Sequence, residues 1–320
     1  MRKNLTKKLF LSVLTLAFAV VSLGASTYAW FTLSSNAKVE TFEGTVTGGA
    51  GLEIQVLSSD ATATDANAWQ TTVIESTLIK NVINDVTLDA RTLKEAGTTS
   101  MFAALDGTTE KTDGFIKFDL AFRLSDQSES RSFDLYLDGY TLQTAGTYDD
   151  PKTEGVDESE VGVDAWRVNR EYTGKNGTYL LNSEKTYWVS DAARLGIVSK
   201  DKGSATEAIA NKYFQAPSGS DEYTAGIPGK GNSDVNAAVN YYNAVNPTAT
   251  INPANAPQYT ADSAVGAQTA GYKIGTLTGA EEVRITVYVW VEGWDAECIN
   301  AIFEQTLHAT LNFYLNIPQA

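Results

Sequence analysis

Side chains that carry catalysis are scarce in this sequence. His308 is the only histidine and Cys298 is the only cysteine. A hydrolytic zinc site takes two or three histidines, and a Cys–His nucleophile requires the two side chains to meet. We expect His308 to lie on the outward, solvated face of a strand, and Cys298 to be a small buried hydrophobic residue. The motifs GxSxG and GxGxxG and the P-loop are absent, and GTVTGGAG is interpreted as a turn. We therefore predict no catalytic residue and no enzymatic activity.

The remaining candidate for chemistry is an acidic segment, YDDPKTEGVDESEVGVD. Calcium binds to hard oxygen ligands on loops of this kind, but the segment lacks the D-x-D-x-D-G order of a defined calcium loop. A solvated acidic loop is the favoured interpretation, calcium is the alternative, and no cofactor is predicted. The carboxylates concerned are Asp149, Asp150, Glu154, Asp157, Glu158, Glu160 and Asp164.

The composition narrows the range of partners. The chain of 320 residues has a net charge of −15, from 24 Lys and Arg against 39 Asp and Glu. Such a surface repels nucleic acid and anionic lipid, so neither is an expected partner. With one cysteine there is no intramolecular disulfide, and stability must come from the core, a metal or assembly.

The first 29 residues have the layout of a secretory signal peptide. A basic start is followed by an apolar run over residues 9–23 and by Thr27-Tyr28-Ala29. Cleavage is predicted between Ala29 and Trp30, which changes the net charge from −15 to −19 because four basic residues are removed. The alternative is a retained membrane anchor over residues 9–31. No other segment is apolar enough to span a bilayer. The mature chain is therefore expected to be secreted and to have no membrane contact after cleavage.

Period-two alternation of apolar residues predicts an all-β fold. It is clearest over residues 116–124, 133–137, 283–291 and 307–315, and shorter strands are expected at LEIQV, VETF and VTLDA. The first two segments are interpreted as a hairpin joined by the turn DQSESR. Several alternating strands with few convincing helices indicate an antiparallel β-sandwich, predicted as a single domain over residues 30–320.

The amino-acid composition changes over residues 142–279, which contain six of the seven prolines. A structureless loop of this length inside a compact domain is unusual. We interpret the region as a loop-rich insertion around one or two core strands. Strands are predicted over residues 186–190 and 193–199, and NAAVNYYNAV is interpreted as a short helix.

Three aromatic residues near the C-terminus are candidates for an exposed binding surface. The alternation places Tyr288 and Trp290 outward on their strand, and Trp294 follows the next turn. An exposed aromatic row is typical of a sugar-binding platform or a subunit interface. The commoner alternative is a second buried face of the strand, covered by the long loops.

The two ends of the chain carry a family resemblance. The order STYA, WF, TLSSNAKVET and FEGTVTGGAGLEI resembles the start of the TasA/camelysin family, whose signals are cut by a SipW-type signal peptidase. This match covers about residues 1–56. The C-terminal ITVYVWVEGWDAECINAIFEQTLHATLNFYL resembles the closing strands of exported proteins with this leader, in which an EG-D-x-x-C-x-N turn joins two strands.

The resemblance implies a jelly-roll β-sandwich that assembles into fibres of a biofilm matrix or cell surface. Residues 30–42 would complete the sheet of the next subunit, so the expected partners are further copies of the chain, the signal peptidase and an accessory or anchoring protein. WFTLSSNAKVETF has no Pro or Gly, as a donor strand requires. Its predicted contact residues are Trp30, Phe31, Leu33, Ala37, Val39 and Phe42.

Two alternatives stay open beside the fibre hypothesis. Residues 30–42 could instead be the first strand of the chain's own sheet. The chain could also be a secreted monomeric module that binds a glycan or a surface protein through residues 142–279 and exposed aromatics. A metallopeptidase, which the name camelysin suggests, is disfavoured because the sequence has one histidine.

Overall fold

The fold is known from a computed structural model. It describes residues 44–48, 51–57, 69–73, 88–94, 101–144, 166–168, 170–174, 177–185, 188–199, 211–215, 233–247, 250–252, 261–262, 272–298, 302 and 307–316. Most of these residues lie in β-strands, and two helices occur among them. The all-β prediction is confirmed at this level.

The strands, in chain order, are β1 (Gly44–Gly48), β2 (Leu52–Leu57), β3 (Thr72–Val73), β4 (Ala90–Leu93), β5 (Phe102–Ala103), β6 (Glu110–Lys111), β7 (Ile116–Leu124), β8 (Ser132–Thr144), β9 (Trp166–Arg167), β10 (Tyr172–Gly174), β11 (Gly177–Tyr179), β12 (Glu184–Lys185), β13 (Ala193–Ser199), β14 (Lys212–Gln215), β15 (Ala261–Asp262), β16 (Tyr272–Thr278), β17 (Val283–Glu292) and β18 (Leu307–Asn316). The helices are α1 (Val189–Ala192) and α2 (Ser233–Val245).

Two large sheets contain most of these strands. The first has five strands in the order β16-β8-β18-β1-β3. The second has nine strands: β15-β14-β13-β17-β4-β5-β6, with β7 beside β17 and β2 beside β7. The long strands pair antiparallel, as predicted, but three pairs are parallel: β1 with β18, β4 with β17, and β14 with β15. Two small ribbons, β10–β11 and β9–β12, complete the strand pairing.

The core lies between the two large sheets. Phe122 of β7 and Phe313 of β18 meet across it with ring centroids 4.7 Å apart. Tyr140 of β8 donates its hydroxyl to the carbonyl oxygen of Gln215 in β14 at 2.5 Å, which ties the sheets together a second time. The inward residues that the alternation predicted are buried, except that Leu315 and Phe133, near strand ends, are half-buried.

The predicted hairpin over residues 116–137 is wrong. β7 pairs with β2 and β17 in the nine-stranded sheet, whereas β8 pairs with β16 and β18 in the five-stranded sheet. Residues 125–131 therefore cross between sheets. Alternation shows which face of a strand is buried, and both strands do bury one face in the shared core, but it does not identify the hydrogen-bonded neighbour. The chain also passes from one sheet to the other between β17 and β18.

Within residues 142–279 the predictions have mixed outcomes. The strand predicted over residues 193–199 is confirmed as β13, between β14 and β17, and the predicted helix is confirmed within α2. The strand predicted over residues 186–190 is wrong at residues 189–190, which lie in the single helical turn α1, where Val189 and Ala192 are buried; residues 186–187 lie outside the described part of the chain. LEIQV is confirmed as β2, whereas VTLDA overlaps β4 only at Ala90.

Candidate functional site

Several predicted site residues lie outside the described part of the chain. These are the cleavage residues Ala29 and Trp30, the predicted intersubunit strand (residues 30–42, which include VETF) and the acidic residues between positions 149 and 164. His308 lies in β18, but the orientation of its side chain is not described. Each of these remains a prediction from the sequence.

The strand β1 shows how the chain enters the fold after residue 43. It lies parallel to β18, with Gly44 opposite Ala309 and Gly48 opposite Phe313. On its other side, Thr72–Val73 of β3 pairs with it in the antiparallel sense. Both sides of β1 are therefore occupied within its own sheet, two residues after the end of the predicted intersubunit strand.

Residues 69–73 link an edge of one sheet to an edge of the other. Gln70 exchanges two backbone hydrogen bonds with Ile54 of β2, at 2.7 and 2.9 Å, while β3 pairs with β1 in the other sheet. At the opposite edge of the five-stranded sheet lies β16, which has seven residues and pairs with β8 on one side. No described strand lies on its other side. A bulge between Lys273 and Gly275 interrupts its register.

The EG-D-x-x-C-x-N motif forms the turn that leaves β17, and its charged residues are buried. The guanidinium of Arg194 in β13 is fully buried and donates to the Asp295 carboxylate. It also donates to the carbonyl oxygens of Asp191 at 3.1 Å and Ala193 at 2.9 Å. The other Asp295 oxygen accepts the backbone N–H of Glu297 at 2.9 Å. The motif therefore ties the turn to β13.

Glu292 is the second buried acid of the turn. Its carboxylate accepts the indole N–H of Trp290 and the backbone N–H of Trp294, both at 3.2 Å. The backbone N–H of Asp295 donates to the Glu292 carbonyl oxygen at 3.1 Å, and that of Cys298 to the Asp295 carbonyl oxygen at 3.1 Å. These contacts are internal to the fold. They give the motif a structural role at the crossing from one sheet to the other.

The environment of the turn perturbs two pKa values. Burial favours the neutral acid at Asp295, but the nearby Arg194 guanidinium and the hydrogen bonds of Glu297 and Arg194 outweigh it and hold the pKa low. Burial raises the pKa of the Cys298 thiol, and the carboxylates of Asp295 and Glu292 raise it further. Cys298 is half-buried and packs against the core, so the predicted hydrophobic packing is found but full burial is not.

The prediction of an exposed aromatic row is wrong for Trp290 and Trp294, because both side chains are fully buried. Trp290 packs against Phe102 of β5, with ring centroids 5.3 Å apart, and against Tyr213 of β14 at 6.2 Å. Trp294 packs against Val239 of α2. Tyr288 is half-buried in the Trp290 cluster. The alternative of a second buried face is correct, although part of the cover comes from β5, which precedes the loop-rich region.

A different aromatic pair lies on the outer face of the five-stranded sheet. Tyr136 of β8 and Tyr314 of β18 are directly opposite in register and stack with centroids 5.2 Å apart and an interplanar angle of 21°. The alternation predicts Tyr136 to face outward, but only the pairing of β8 with β18 brings the two rings together. Sequence analysis did not single out this pair.

Comparison with family models, curated proteins and solved structures finds no match for this chain. Across the described ranges, no group of three or more His, Cys, Asp or Glu side chains could hold a metal ion. No helix in that part of the chain is long and apolar enough to cross a membrane. The resemblance to the TasA/camelysin family therefore remains a prediction from the sequence.

Proposed function

We propose that this chain is an exported, non-enzymatic structural subunit of an extracellular fibre in a biofilm matrix or at a cell surface. Residues 30–42, released by a SipW-type peptidase at Ala29, would add a strand to the sheet of the next subunit. Head-to-tail addition of this kind does not close on itself and so generates filaments. An accessory or anchoring protein would attach the filament.

The register of β1 on β18 is the observation that carries the proposal. If the pairing continued backwards from Gly44 opposite Ala309, Phe42 would face Leu307, the first residue of β18. Residues 30–41 precede that position, and in the proposal they pair with the neighbouring subunit. That length, at about 3.3 Å per residue, corresponds to roughly 40 Å of extended chain available to a neighbour.

The described edges suggest where a neighbour's strand could pair. β16 is the longest strand in the described sheets with a described neighbour on one side only, and its seven residues span about 23 Å at 3.3 Å per residue. Lys273 and the bulge beside it are features that discourage indiscriminate edge pairing. An added strand would therefore have to match this edge through its side chains, which favours a specific segment over any extended peptide.

We further propose that the two sheets form a jelly-roll within a single domain. Support comes from the two crossings described above, since β7 and β8, like β17 and β18, are successive long strands in opposite sheets. Strands of a jelly-roll alternate between its sheets in this way.

The experiment compares filament formation in variants of the predicted strand. Deletion of residues 30–39, or Leu33→Asp with Val39→Asp on the predicted contact face, should abolish filaments in negative-stain micrographs. Ser34→Asp with Asn36→Asp, on the opposite face and with the same added charge, is the matched control and should still polymerise. The thermal unfolding midpoint should be the same in all four proteins.

Two results would contradict the proposal. Filaments that persist after the deletion would exclude residues 30–39 as the intersubunit strand. A large fall in the unfolding midpoint of the Leu33→Asp, Val39→Asp variant, with the control unchanged, would place the strand in the chain's own sheet.

A further inference from the structure

The outer face of the five-stranded sheet carries an ordered row of side chains across three strands. Lys273 of β16 is opposite Tyr136 of β8, which is in turn opposite Tyr314 of β18. Farther along the same face lie cross-strand hydroxyl pairs, with Thr141 bonded to Thr310 at 2.7 Å and Ser132 to Thr278 at 2.8 Å. This surface is therefore polar, with two tyrosine rings near its middle.

The face is open, in contrast to that of the nine-stranded sheet. On the nine-stranded sheet, even the outward polar residues Asp119 and Thr286 are buried and hydrogen-bonded to each other at 2.6 Å. On the five-stranded sheet, the outward side chains described on β8, β16 and β18 are all half-buried or exposed, and Asn312 is exposed beside the rings. A ligand can therefore reach the tyrosines without rearrangement of the described residues.

Fixed hydrogen-bonding groups surround the rings. The Asp134 carboxylate is held by the Lys273 ammonium and by the Thr276 hydroxyl, each at 2.9 Å. Burial raises the pKa of the Tyr314 hydroxyl, and the charge of Asp138 raises it further. Asn312 lies opposite Gly139 of β8, and its amide nitrogen would be in ordinary contact, at 3.9 Å, with a Cβ at that position.

We propose that this face binds a neutral polysaccharide, independently of fibre formation. The apolar face of a hexopyranose ring would pack on the Tyr136–Tyr314 pair, and its hydroxyl groups would bond to Asp138 and Asn312. A polyanionic ligand is disfavoured, because a chain of net charge −15 repels it, and the same repulsion acts against the same face of a second copy.

A cross-strand tyrosine pair also stabilises a sheet, so the experiment must separate binding from folding. The probes are soluble mixed-linkage β-glucan, xyloglucan, galactomannan and dextran, each cast into a native gel that retards a bound protein. The purified protein should be retarded by at least one of them. Tyr136→Ala with Tyr314→Ala should weaken that binding at least about tenfold, since it removes the stacking surface.

Two matched variants test the assignment. Tyr136→Phe with Tyr314→Phe keeps both rings and should retain binding within about threefold, because ring packing contributes most of the contact. Thr141→Ala with Thr310→Ala changes a cross-strand pair on the same face and should not alter retardation. If the alanine variant of the tyrosines fails to fold, Asn312→Glu, which adds charge at an exposed position beside the rings, should weaken binding about tenfold.

Each opposite outcome overturns the proposal. It fails if none of the four polymers retards the protein, or if the folded alanine variant or Asn312→Glu binds as the unmodified protein does. It also fails if the tyrosine substitutions change the sedimentation coefficient while retardation is unchanged, because the face would then be a contact between copies.

Discussion

Removal of the Asp295 carboxylate should destabilise the fold more than any surface ion-pair substitution. The side chain of Arg194 is 0 % exposed and that of Asp295 is 5 % exposed, so Asp295→Ala leaves a buried guanidinium without its counter-charge. Breaking a buried pair from one side typically costs about 3–5 kcal/mol. Arg194 keeps its bonds to two backbone carbonyl oxygens, which places the expected loss near the lower end of that range.

Three comparison variants separate the contributions of charge and hydrogen bonding to this loss in the free energy of unfolding. Asp295→Asn keeps an oxygen for the Glu297 N–H and should be less destabilising than Asp295→Ala by about 1 kcal/mol, the net value of one hydrogen bond. Arg194→Met with Asp295→Leu removes both charges and should cost less than Asp295→Ala. The control is Glu53→Gln, whose Arg123 pair at 2.7 Å is 25 % exposed on both sides and should cost about 0–1 kcal/mol.

Equilibrium urea unfolding at pH 7 measures these differences in the free energy of unfolding. Tryptophan fluorescence is a suitable signal because Trp290 and Trp294 are buried beside the turn. Since the folded pKa of Asp295 lies below its ordinary 3.8, its stabilisation is present above that pH and is lost as the pH falls through the lowered value. Asp295→Asn should therefore flatten the acid side of the stability profile. The reasoning is refuted if Asp295→Ala costs no more than Glu53→Gln.

Two further predictions concern other parts of the fold. A methyl group at Gly174 would lie 1.8 Å from Cε2 of Tyr179, so Gly174→Ala should cost about 1–3 kcal/mol in urea unfolding; Gly139→Ala, whose nearest atom is 3.9 Å away, should not destabilise, and equal losses would contradict the packing argument. Because burial raises its pKa, Cys298 should react with an aromatic disulfide reagent at pH 8 more than about tenfold slower in the native state than in urea, and equal rates would contradict its environment.

Local patterns in the sequence predicted which residues lie inside better than which strands pair. The alternation over residues 116–124 correctly buried Phe118 and Phe122, because side-chain direction is a local property of an extended chain. The partners of β7 are β2 and β17, both far from it along the chain, and that choice depends on the packing of both sheets together. The hairpin prediction was wrong because it paired β7 with β8, the next long strand in the sequence.

The same limit applies to the functional surfaces. Trp290 lies on the outward face of β17 and is buried by residues of other strands, Phe102 of β5 and Tyr213 of β14. The Tyr136–Tyr314 pair likewise depends on long-range register. By contrast, the cleavage residues and the intersubunit strand are sequence motifs, and they remain predictions because the described residues do not include them.

The parallel pairing of β1 with β18 has a mechanical consequence. In a fibre held through residues 30–42, tension would enter each subunit at Gly44 and pull β1 lengthwise against β18. The five residue pairs from Gly44 opposite Ala309 to Gly48 opposite Phe313 would then be loaded together in shear, because the hydrogen bonds of a parallel pair are evenly spaced and slanted between the strands. A load shared in this way resists rupture more than one that peels bonds in turn. β1 would thus act as the anchor that keeps a stretched subunit folded.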